Sequence, residues 1–293
     1  MTLPLAVAGT VHRDDITTPS GRAESLGGSA VYFALAASRC APVLLNGVVG
    51  ADAVDDVRAA LTGCDVDLEG LVAAPEPTFL WRAEHDFEHW VTVSEESREG
   101  ADPTWSALLP RPSADAPLLF VASMRPEKQK AIVDQSRARV IGVDTMNVYV
   151  RSEPAALAAV LSACDIVFVN HAELAGLTTE RDWRRQAQSL LGRGRIRVVV
   201  VKHGPLGAAV VARKDVIELP AHPVDRVVDP TGAGDALAGG FLGYCARVER
   251  DDDDVYAAAL ATGLECAAHT ITTFGTDGLR RFVTGAADDS APG

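Results

Sequence analysis

No apolar run in this chain approaches the roughly 20 residues that a bilayer-spanning helix needs. The segment from Met1 to Gly9 is short and uncharged, so it favours a buried strand over a signal peptide. We therefore expect a cytoplasmic protein that has no membrane partner.

Positive charge is also scarce. Lysine and arginine total 27 against 40 acidic residues, which gives a net charge of −13. Such an acidic balance argues against nucleic acid as a partner. If the protein binds phosphate groups, local donors must hold them, because the surface as a whole repels anions.

Regularly spaced cysteine pairs are missing as well. The five cysteines are scattered, odd in number and contain no C-x-x-C motif. This usage argues against a disulfide framework. The simplest interpretation is that they are free thiols in a reducing cytosol, and that most of them are small core residues.

Core-forming residues, in contrast, are plentiful. Hydrophobic residues make up 47% of the 293 positions, which is enough for one large α/β domain. Apolar β-branched runs alternate with helical segments, and this predicts a mainly parallel central sheet in a three-layer α/β/α sandwich. The predicted strands span 117–122, 139–144, 165–170 and 197–202, and the predicted helices span 128–137, 155–163 and 183–193.

Residues 77–94 break this alternation. β-rich stretches on either side of Glu84-His85-Asp86 predict a hairpin that stands off the main sheet as a lid. Since an isolated hairpin is marginal in water, it requires contact with the main domain or with a partner chain. His85 and His89 have no third metal ligand nearby, so we expect a solvated lid rather than a metal site.

The stretch from Asp229 to Asp235 carries the strongest functional signal. Pro230, Gly232 and Gly234 exclude a regular helix or strand, whereas the apolar spacing after Gly234 predicts a helix. A turn that opens a helix exposes unpaired N–H groups, which favour an anion. Asp235 would repel a bound phosphate unless it accepts a proton from an attacking hydroxyl. The alternative is structural, with the aspartates as helix caps and the glycines as a turn.

This stretch, Asp-Pro-Thr-Gly-Ala-Gly-Asp, resembles the Asp-Thr-x-Gly-Ala-Gly-Asp signature of the ribokinase-like (PfkB) carbohydrate and nucleoside kinases. The resemblance implies that Asp235 is the catalytic base. It also implies that Gly232, Ala233 and Gly234 form an anion hole for the transferred phosphoryl group, and that Thr231 borders the nucleotide. The proline departs from the family pattern and removes one N–H donor.

On the substrate side, the apolar run from Leu3 to Val11 predicts a buried strand followed by a polar loop. Ligands bind at this end of the strands in α/β folds. We match Asp14, in the loop, to the family's sugar-binding aspartate. Its neighbour Asp15 is the rival, and a pair of solvated loop residues is the alternative.

Gly27 and Gly28 precede a helix of small and apolar residues and resemble the family's Gly-Gly-x-x-x-Asn-x-Ala segment. Glycine lets a substrate hydroxyl approach the backbone. Where many sugar kinases carry Asn, this chain has Tyr32 or Phe33, so a ring face replaces an amide. We expect Tyr32 to contact the substrate, whereas Phe33 fits core packing at least as well.

On the nucleotide side, Asn170 and Glu173 match the family's N-x-x-E motif, which holds the magnesium–phosphate environment through water. Mg²⁺ keeps several waters, so outer-sphere contacts are chemically sensible. A compatible alternative is that Asn170 caps a helix together with Glu173. Lys202, Gly204 and Gly207 resemble the K/T-x-G-x-x-G turn that borders the nucleotide.

Two further segments resemble family features. The stretch from Asp144 to Asn147 is similar to the D-x-N segment, but its spacing is one residue longer, so its role stays open. Residues Thr272–Gly275 follow a long Ala-rich helix. Family members place the adenine near this segment, and often a monovalent cation such as K⁺.

The resemblance implies one kinase domain over residues 1–285, to which 10–26 and 75–104 contribute a small β lid, and a disordered tail over 286–293. We expect a kinase that uses ATP and Mg²⁺ and that forms a homodimer through the lid. Its acceptor is the hydroxymethyl group of a sugar or a sugar-like small molecule.

The sequence leaves two other functions open. A nucleoside kinase of the adenosine or cytidine type is one alternative, since Tyr32, Phe79, Trp81 and Trp90 offer ring faces for a base. A non-catalytic nucleotide or ligand sensor on the same fold is the other. Retention of Asp235 argues against a sensor.

Overall fold

The computed structural model describes residues 2–88 and 91–286. The predictions for His89 and Trp90 lie outside the described residues, as does the predicted tail beyond Ala286. No helix in the described part is both long and apolar enough to cross a membrane.

The strands are short, and those that consist of apolar β-branched runs are buried, as expected. In chain order they are β1 (Leu5–Ala8), β2 (His12–Thr18), β3 (Gly21–Gly27), β4 (Val43–Gly50), β5 (Val66–Ala74), β6 (Phe79–Asp86), β7 (Val91–Arg98), β8 (Leu118–Val121), β9 (Val140–Asp144), β10 (Ile166–Asn170), β11 (Val198–Lys202), β12 (Ala208–Ala212) and β13 (Val216–Leu219).

α-Helices lie in half of the connections between these strands, and 3₁₀ turns lie at Asp102–Thr104 and Gly204–Leu206. The α-helices are α1 (Ser29–Ser38), α2 (Val54–Ala60), α3 (Arg111–Ala114), α4 (Pro126–Gln135), α5 (Asn147–Ser152), α6 (Pro154–Ser162), α7 (His171–Leu177), α8 (Trp183–Leu190), α9 (Ala233–Val248), α10 (Asp253–Thr270) and α11 (Asp277–Thr284).

The main sheet runs in the order β13-β12-β11-β10-β9-β8-β1-β4-β5 across the described chain. All pairings from β11 to β5 are parallel, whereas the β11–β12 and β12–β13 pairings are antiparallel, so β12 runs opposite to the other strands of this sheet. Successive strand residues face opposite cores. Phe120 packs with α1, α9 and α10 on one face, whereas Val121 packs with α4, α6 and α8 on the other. The predicted α/β/α sandwich is therefore confirmed.

A second sheet, which we call the lid, has the order β3-β2-β6-β7. Strand β2 pairs antiparallel with β3 and parallel with β6, and β6 forms a hairpin with β7. The hairpin turn follows Asp86. It does not lie at Glu84–Asp86, because these residues still pair with β7. The prediction of a polar loop around Asp14 is also wrong, because this stretch forms strand β2.

The five cysteines carry free thiols, and four of them are buried. Burial raises the pKa of the Cys164, Cys245 and Cys266 thiols to about 12. Thiols with such high pKa values are poor nucleophiles at neutral pH. These cysteines therefore behave as small core residues, in line with their scattered spacing.

Candidate active site

A cavity of about 1190 Å³ lies between the lid and the carboxyl ends of the central strands. Asp144 ends β9 and Lys202 ends β11, and both side chains line this cavity. Asp14 lines it from the lid, and Asp235 lines it from the first turn of α9. The topology thus gathers residues that are far apart in sequence at the strand edge where α/β folds bind ligands.

The Gly-rich loop, residues Asp229–Asp235, forms one wall of the cavity. Gly232 has φ of 77° at the N-cap of α9, and a Cβ there would lie 2.4 Å from the Tyr32 ring. Glycine is therefore required both by the left-handed backbone and by the close packing. The Ala233 N–H donates to the Pro230 carbonyl at 3.3 Å. The Ala233 donor is therefore already engaged within the loop, and the predicted anion hole would be left with the N–H groups of Gly232 and Gly234.

Asp235 is partly buried on the cavity side of this loop. Burial and the nearby Asp144 carboxylate raise its pKa well above the usual range, although Lys202, Ser29 and His12 act in the opposite direction. A carboxylate with a raised pKa is a better proton acceptor near neutral pH than an ordinary aspartate. Its position fits the predicted base.

Lys202 forms a salt bridge that the sequence did not suggest. Its Nζ lies 2.9 and 2.7 Å from the two carboxylate oxygens of Asp144. Burial alone would lower the pKa of Lys202, but Asp144 and Glu173 raise it above its ordinary value. A Cβ on Gly234 would lie 3.1 Å from the Lys202 Nζ. The ammonium group is therefore a permanent cation beside the Gly-rich loop.

Asn170 and Glu173 form a capping box at the start of α7. The two Glu173 carboxylate oxygens accept from the Asn170 N–H at 2.9 Å and from its side-chain amide at 2.8 Å. Burial and Asp144 raise the pKa of Glu173, whereas Lys202 lowers it. Neither residue is among the described residues that line the cavity. No group of three or more potential metal ligands occurs in the described part of the chain.

Strand alternation separates the two aspartates of β2. Asp14 is 2% exposed and faces the cavity, where the absence of a Cβ on Gly27 leaves room for its carboxylate. Burial raises its pKa to about 6. Asp15 faces away and accepts from Arg22 and Arg82, both at 2.7 Å, which hold its pKa well below the usual range. Only Asp14 is therefore placed to meet a ligand.

Tyr32 lies beneath the Gly-rich loop and is only 1% exposed. The Gly232 backbone covers one face of its ring, and the ring edge lies close to Gly27. Its buried hydroxyl has no hydrogen-bond partner among the described residues. The ring supports the loop, and it offers the cavity less open surface than the sequence suggested. Phe33 stacks on Phe120 in the core, at 4.2 Å between ring centroids.

His12 is a cavity residue that the sequence reading missed. Its Nδ1 lies 3.9 Å from Asp14 and its Nε2 lies 3.8 Å from Asp102. Burial lowers its pKa, but the two carboxylates outweigh burial and raise the pKa above its ordinary value. The available signal was the two-residue spacing from Asp14, which puts both side chains on one face of a strand.

Gly204 and Gly207 flank the 3₁₀ turn after β11 and line the far end of the cavity. Both have positive φ, of 58° and 106°, so both positions favour glycine. The cavity lining also includes the apolar residues Val227, Ala267 and Ile271. The cavity therefore has both an apolar wall and the permanent cation of Lys202.

A sequence model described as pfkB family carbohydrate kinase matches residues 5–280 of this chain. The cytidine kinase of Thermococcus kodakarensis is 29% identical over 254 residues, which is 83% of this chain and 88% of that protein.

Solved structures show the same fold. The nucleoside kinase of Methanocaldococcus jannaschii has a TM-score of 0.76 at 18% identity, covering 97% of this chain and 98% of that one. The ribokinase of Arabidopsis thaliana, solved with ribose and ATP, has a TM-score of 0.74 at 21% identity, with coverage of 97% and 98%.

Proposed function

This chain belongs to the pfkB family of carbohydrate kinases, and from that premise we propose that it transfers the γ-phosphoryl group of ATP to the hydroxymethyl group of a nucleoside. Family membership makes it a phosphotransferase whose acceptor is a sugar or a nucleoside. The choice between these two acceptors is our inference, and it reverses the order in which the sequence ranked them.

The observation that favours a nucleoside is the composition of the cavity wall beyond Asp14. Phe79, Trp81, Trp105 and Tyr149 line this part of the cavity. A free sugar presents hydroxyl groups on most sides, whereas a nucleobase presents flat apolar faces that suit an aromatic wall. The relative named cytidine kinase, 29% identical to this chain, supports this choice.

The residues around the Gly-rich loop can support the transfer chemistry. When bound, ATP supplies the phosphoryl group, which carries negative charge. We assign to Asp235 the removal of the proton from the acceptor hydroxyl, in keeping with its raised pKa. The N–H groups of Gly232 and Gly234, together with Lys202, offset negative charge that grows on the transferred group. The apolar wall that includes Ile271 suits the adenine ring.

Mg²⁺ and K⁺ differ in how far nearby residues support their binding. Asn170 and Glu173 already bond to each other, so they would act on Mg²⁺ only through water and only weakly. No contact among the described residues near Thr272–Gly275 supports the expected monovalent cation, and a K⁺ requirement stays a prediction. Gly275 itself packs closely on Ser25.

The homodimer is also a proposal. Strand β7 is an edge strand of the lid and exposes Val93 by 54%. An open edge with an apolar residue is suited to pairing with a second copy of the lid. Sedimentation at micromolar concentration should give a mass of two chains, and a single-chain mass would remove the dimer.

One substrate panel tests the proposed function. Purified enzyme with ATP and Mg²⁺ is assayed against cytidine, adenosine, ribose, fructose and inositol. We expect a kcat/KM at least about 100-fold higher for the best nucleoside than for any free sugar, because only a nucleoside fills the aromatic part of the cavity. Faster turnover of a sugar would make the protein a sugar kinase. ATP binding without transfer to any acceptor would make it a sensor.

A further inference from the structure

The cavity is also lined by a carboxylate that has one unpaired oxygen. Asp102 begins the 3₁₀ turn Asp102–Thr104, and its Oδ1 is buried with no hydrogen-bond donor among the described residues. Its Oδ2 lies 3.8 Å from His12 Nε2, which also has no partner. A buried acceptor left unpaired is costly, so this geometry suits a ligand that donates a hydrogen bond.

A lysine accompanies this carboxylate. Lys128 lines the cavity and donates to the backbone carbonyl of Asp102, so it leaves the Asp102 Oδ1 without a donor. The Lys128 Nζ lies 5.8 Å from the centre of the Trp105 ring. An ammonium group has three donors, so further N–H groups can serve a ligand acceptor. A negative acceptor and a positive donor thus stand next to each other beside an aromatic surface.

The distance from the reacting end also suits a nucleoside. The two contacts of His12, 3.9 Å to Asp14 and 3.8 Å to Asp102, start from opposite nitrogens of one imidazole. Asp14 and Asp102 are therefore separated by little more than one ring and two contacts. A nucleoside whose sugar meets Asp14 can reach Asp102 with the edge of its base. The His12 ring lies 4.5 Å from Phe79, which closes this side with an apolar face.

The edges of the nucleobases differ in what they present to such a pair. Cytosine and adenine carry an exocyclic amino group, a donor, next to a ring nitrogen that accepts. Uracil and hypoxanthine present a carbonyl oxygen and a ring N–H at the same places. The oxo bases would set an acceptor against the Asp102 carboxylate and a donor against Lys128.

We propose that Asp102 and Lys128 make the enzyme prefer nucleosides whose base carries an exocyclic amino group to nucleosides with the corresponding oxo base. His12 is the neighbour of Asp102 in this site. Asp102 accepts from the amino group, and Lys128 donates to the neighbouring ring nitrogen. This inference rests on the proposed nucleoside kinase activity, and it deepens that function by naming the class of base.

The test compares kcat/KM within two matched pairs, cytidine with uridine and adenosine with inosine. We expect the amino base to be favoured by about 100-fold in at least one pair. The pair that shows the larger ratio tells whether the site takes a pyrimidine or a purine. In Asp102→Asn, whose amide can turn a donor toward the base, that ratio should fall at least about tenfold, while Tm stays unchanged.

Two further variants make the result specific. Lys128→Gln should lower the same ratio, because it removes the positive donor. Asp134→Asn is the matched control, since Asp134 is exposed on α4 and pairs with Lys130 at 2.6 Å outside the cavity. It should leave the ratio unchanged.

The outcomes distinguish a failure of the proposed base selection from a failure of the proposed nucleoside kinase activity. Turnover of nucleosides with a ratio near one, or a ratio that Asp102→Asn leaves unaltered, overturns base selection and leaves the nucleoside kinase in place. Turnover of free sugars alone overturns both.

Discussion

His85 of the lid lies 3.2 Å from Thr231 of the Gly-rich loop, measured from its Nε2 to the threonine Oγ1. Its Nδ1 lies 3.2 Å from the hydroxyl of Thr92 on β7. Burial lowers the pKa of His85, so the neutral ring can donate from one nitrogen and accept at the other. The lid is therefore tied to the loop, and the expectation that His85 is merely solvated is wrong.

The first prediction concerns this tie. His85→Ala and Thr231→Val should each raise KM for the acceptor several-fold, because the closed lid loses a hydrogen bond worth about 1 kcal/mol. In the double variant the losses should be less than additive by a similar amount. Thr92→Val, which removes only the outer contact, serves as the control. Strictly additive effects on KM would show that the two residues act independently.

The second prediction concerns the base. Asp235→Asn should fold with a Tm no lower than that of the wild type, and it should lose kcat by about 10²–10⁴-fold, because an amide cannot accept the proton. In the wild type, kcat should rise with pH through the raised pKa of Asp235, since only the ionised carboxylate is active. Steady-state kinetics from pH 5 to 9 measures both effects. Near-normal turnover of the variant would remove Asp235 from this role.

The third prediction concerns stability and pH. The pKa of Asp14 is raised from 3.8 to about 6 in the folded protein, so folding favours its neutral form. The stabilising contribution is complete below pH 4 and is lost as the pH rises through 6. Asp14→Asn is always neutral, so its free energy of unfolding, measured with urea at pH 8, should exceed that of the wild type by about 3 kcal/mol.

At pH 4 this variant and the wild type should differ little in unfolding free energy. The substituted amide should also raise KM for the acceptor. A variant less stable than wild type at pH 8 would contradict the burial argument for Asp14.

The fourth prediction concerns Gly232. Gly232→Ala should lower the free energy of unfolding by the roughly 1–2 kcal/mol that a left-handed alanine costs, and further because the Tyr32 ring must move. It should also lower kcat at least about tenfold. Gly192 is the matched control, with φ of 80° and nothing within 4 Å of an added Cβ. Gly192→Ala should cost only the backbone strain and keep its activity. Equal kcat values in the two variants would show that the packing of Tyr32 does not matter for turnover.

The fifth prediction concerns Mg²⁺. If Glu173 acts on the metal through water, Glu173→Gln should raise the Mg²⁺ concentration needed for half-maximal activity about tenfold, because it removes the charge. Asp182→Asn is a control at the N-cap of α8, a cap remote from the cavity. If the Mg²⁺ requirement does not move and only Tm falls, Glu173 is a capping residue alone.

Whether a feature of the fold or the site could be predicted from the sequence depends on how far apart its interacting residues lie along the chain. The buried strands such as Val198–Lys202 and the Gly-rich turn around Gly232 follow from local patterns of apolar residues and glycine. The capping box of Asn170 and Glu173 also follows, since its residues are three positions apart. Lys202 and Asp144, in contrast, are 58 positions apart and share no local pattern.

The sequence by itself determined the α/β/α layers, the loop that opens α9 and the identity of its aspartate, because periodicity and backbone restrictions act over a few residues. Only the tertiary structure decided that Asp14 rather than Asp15 faces the cavity, that Tyr32 supports the loop and that His12 and Asp102 meet in the cavity wall. These relationships depend on which strands become neighbours. Burial and pairing across the sheets fix that choice, and a linear pattern does not encode it directly.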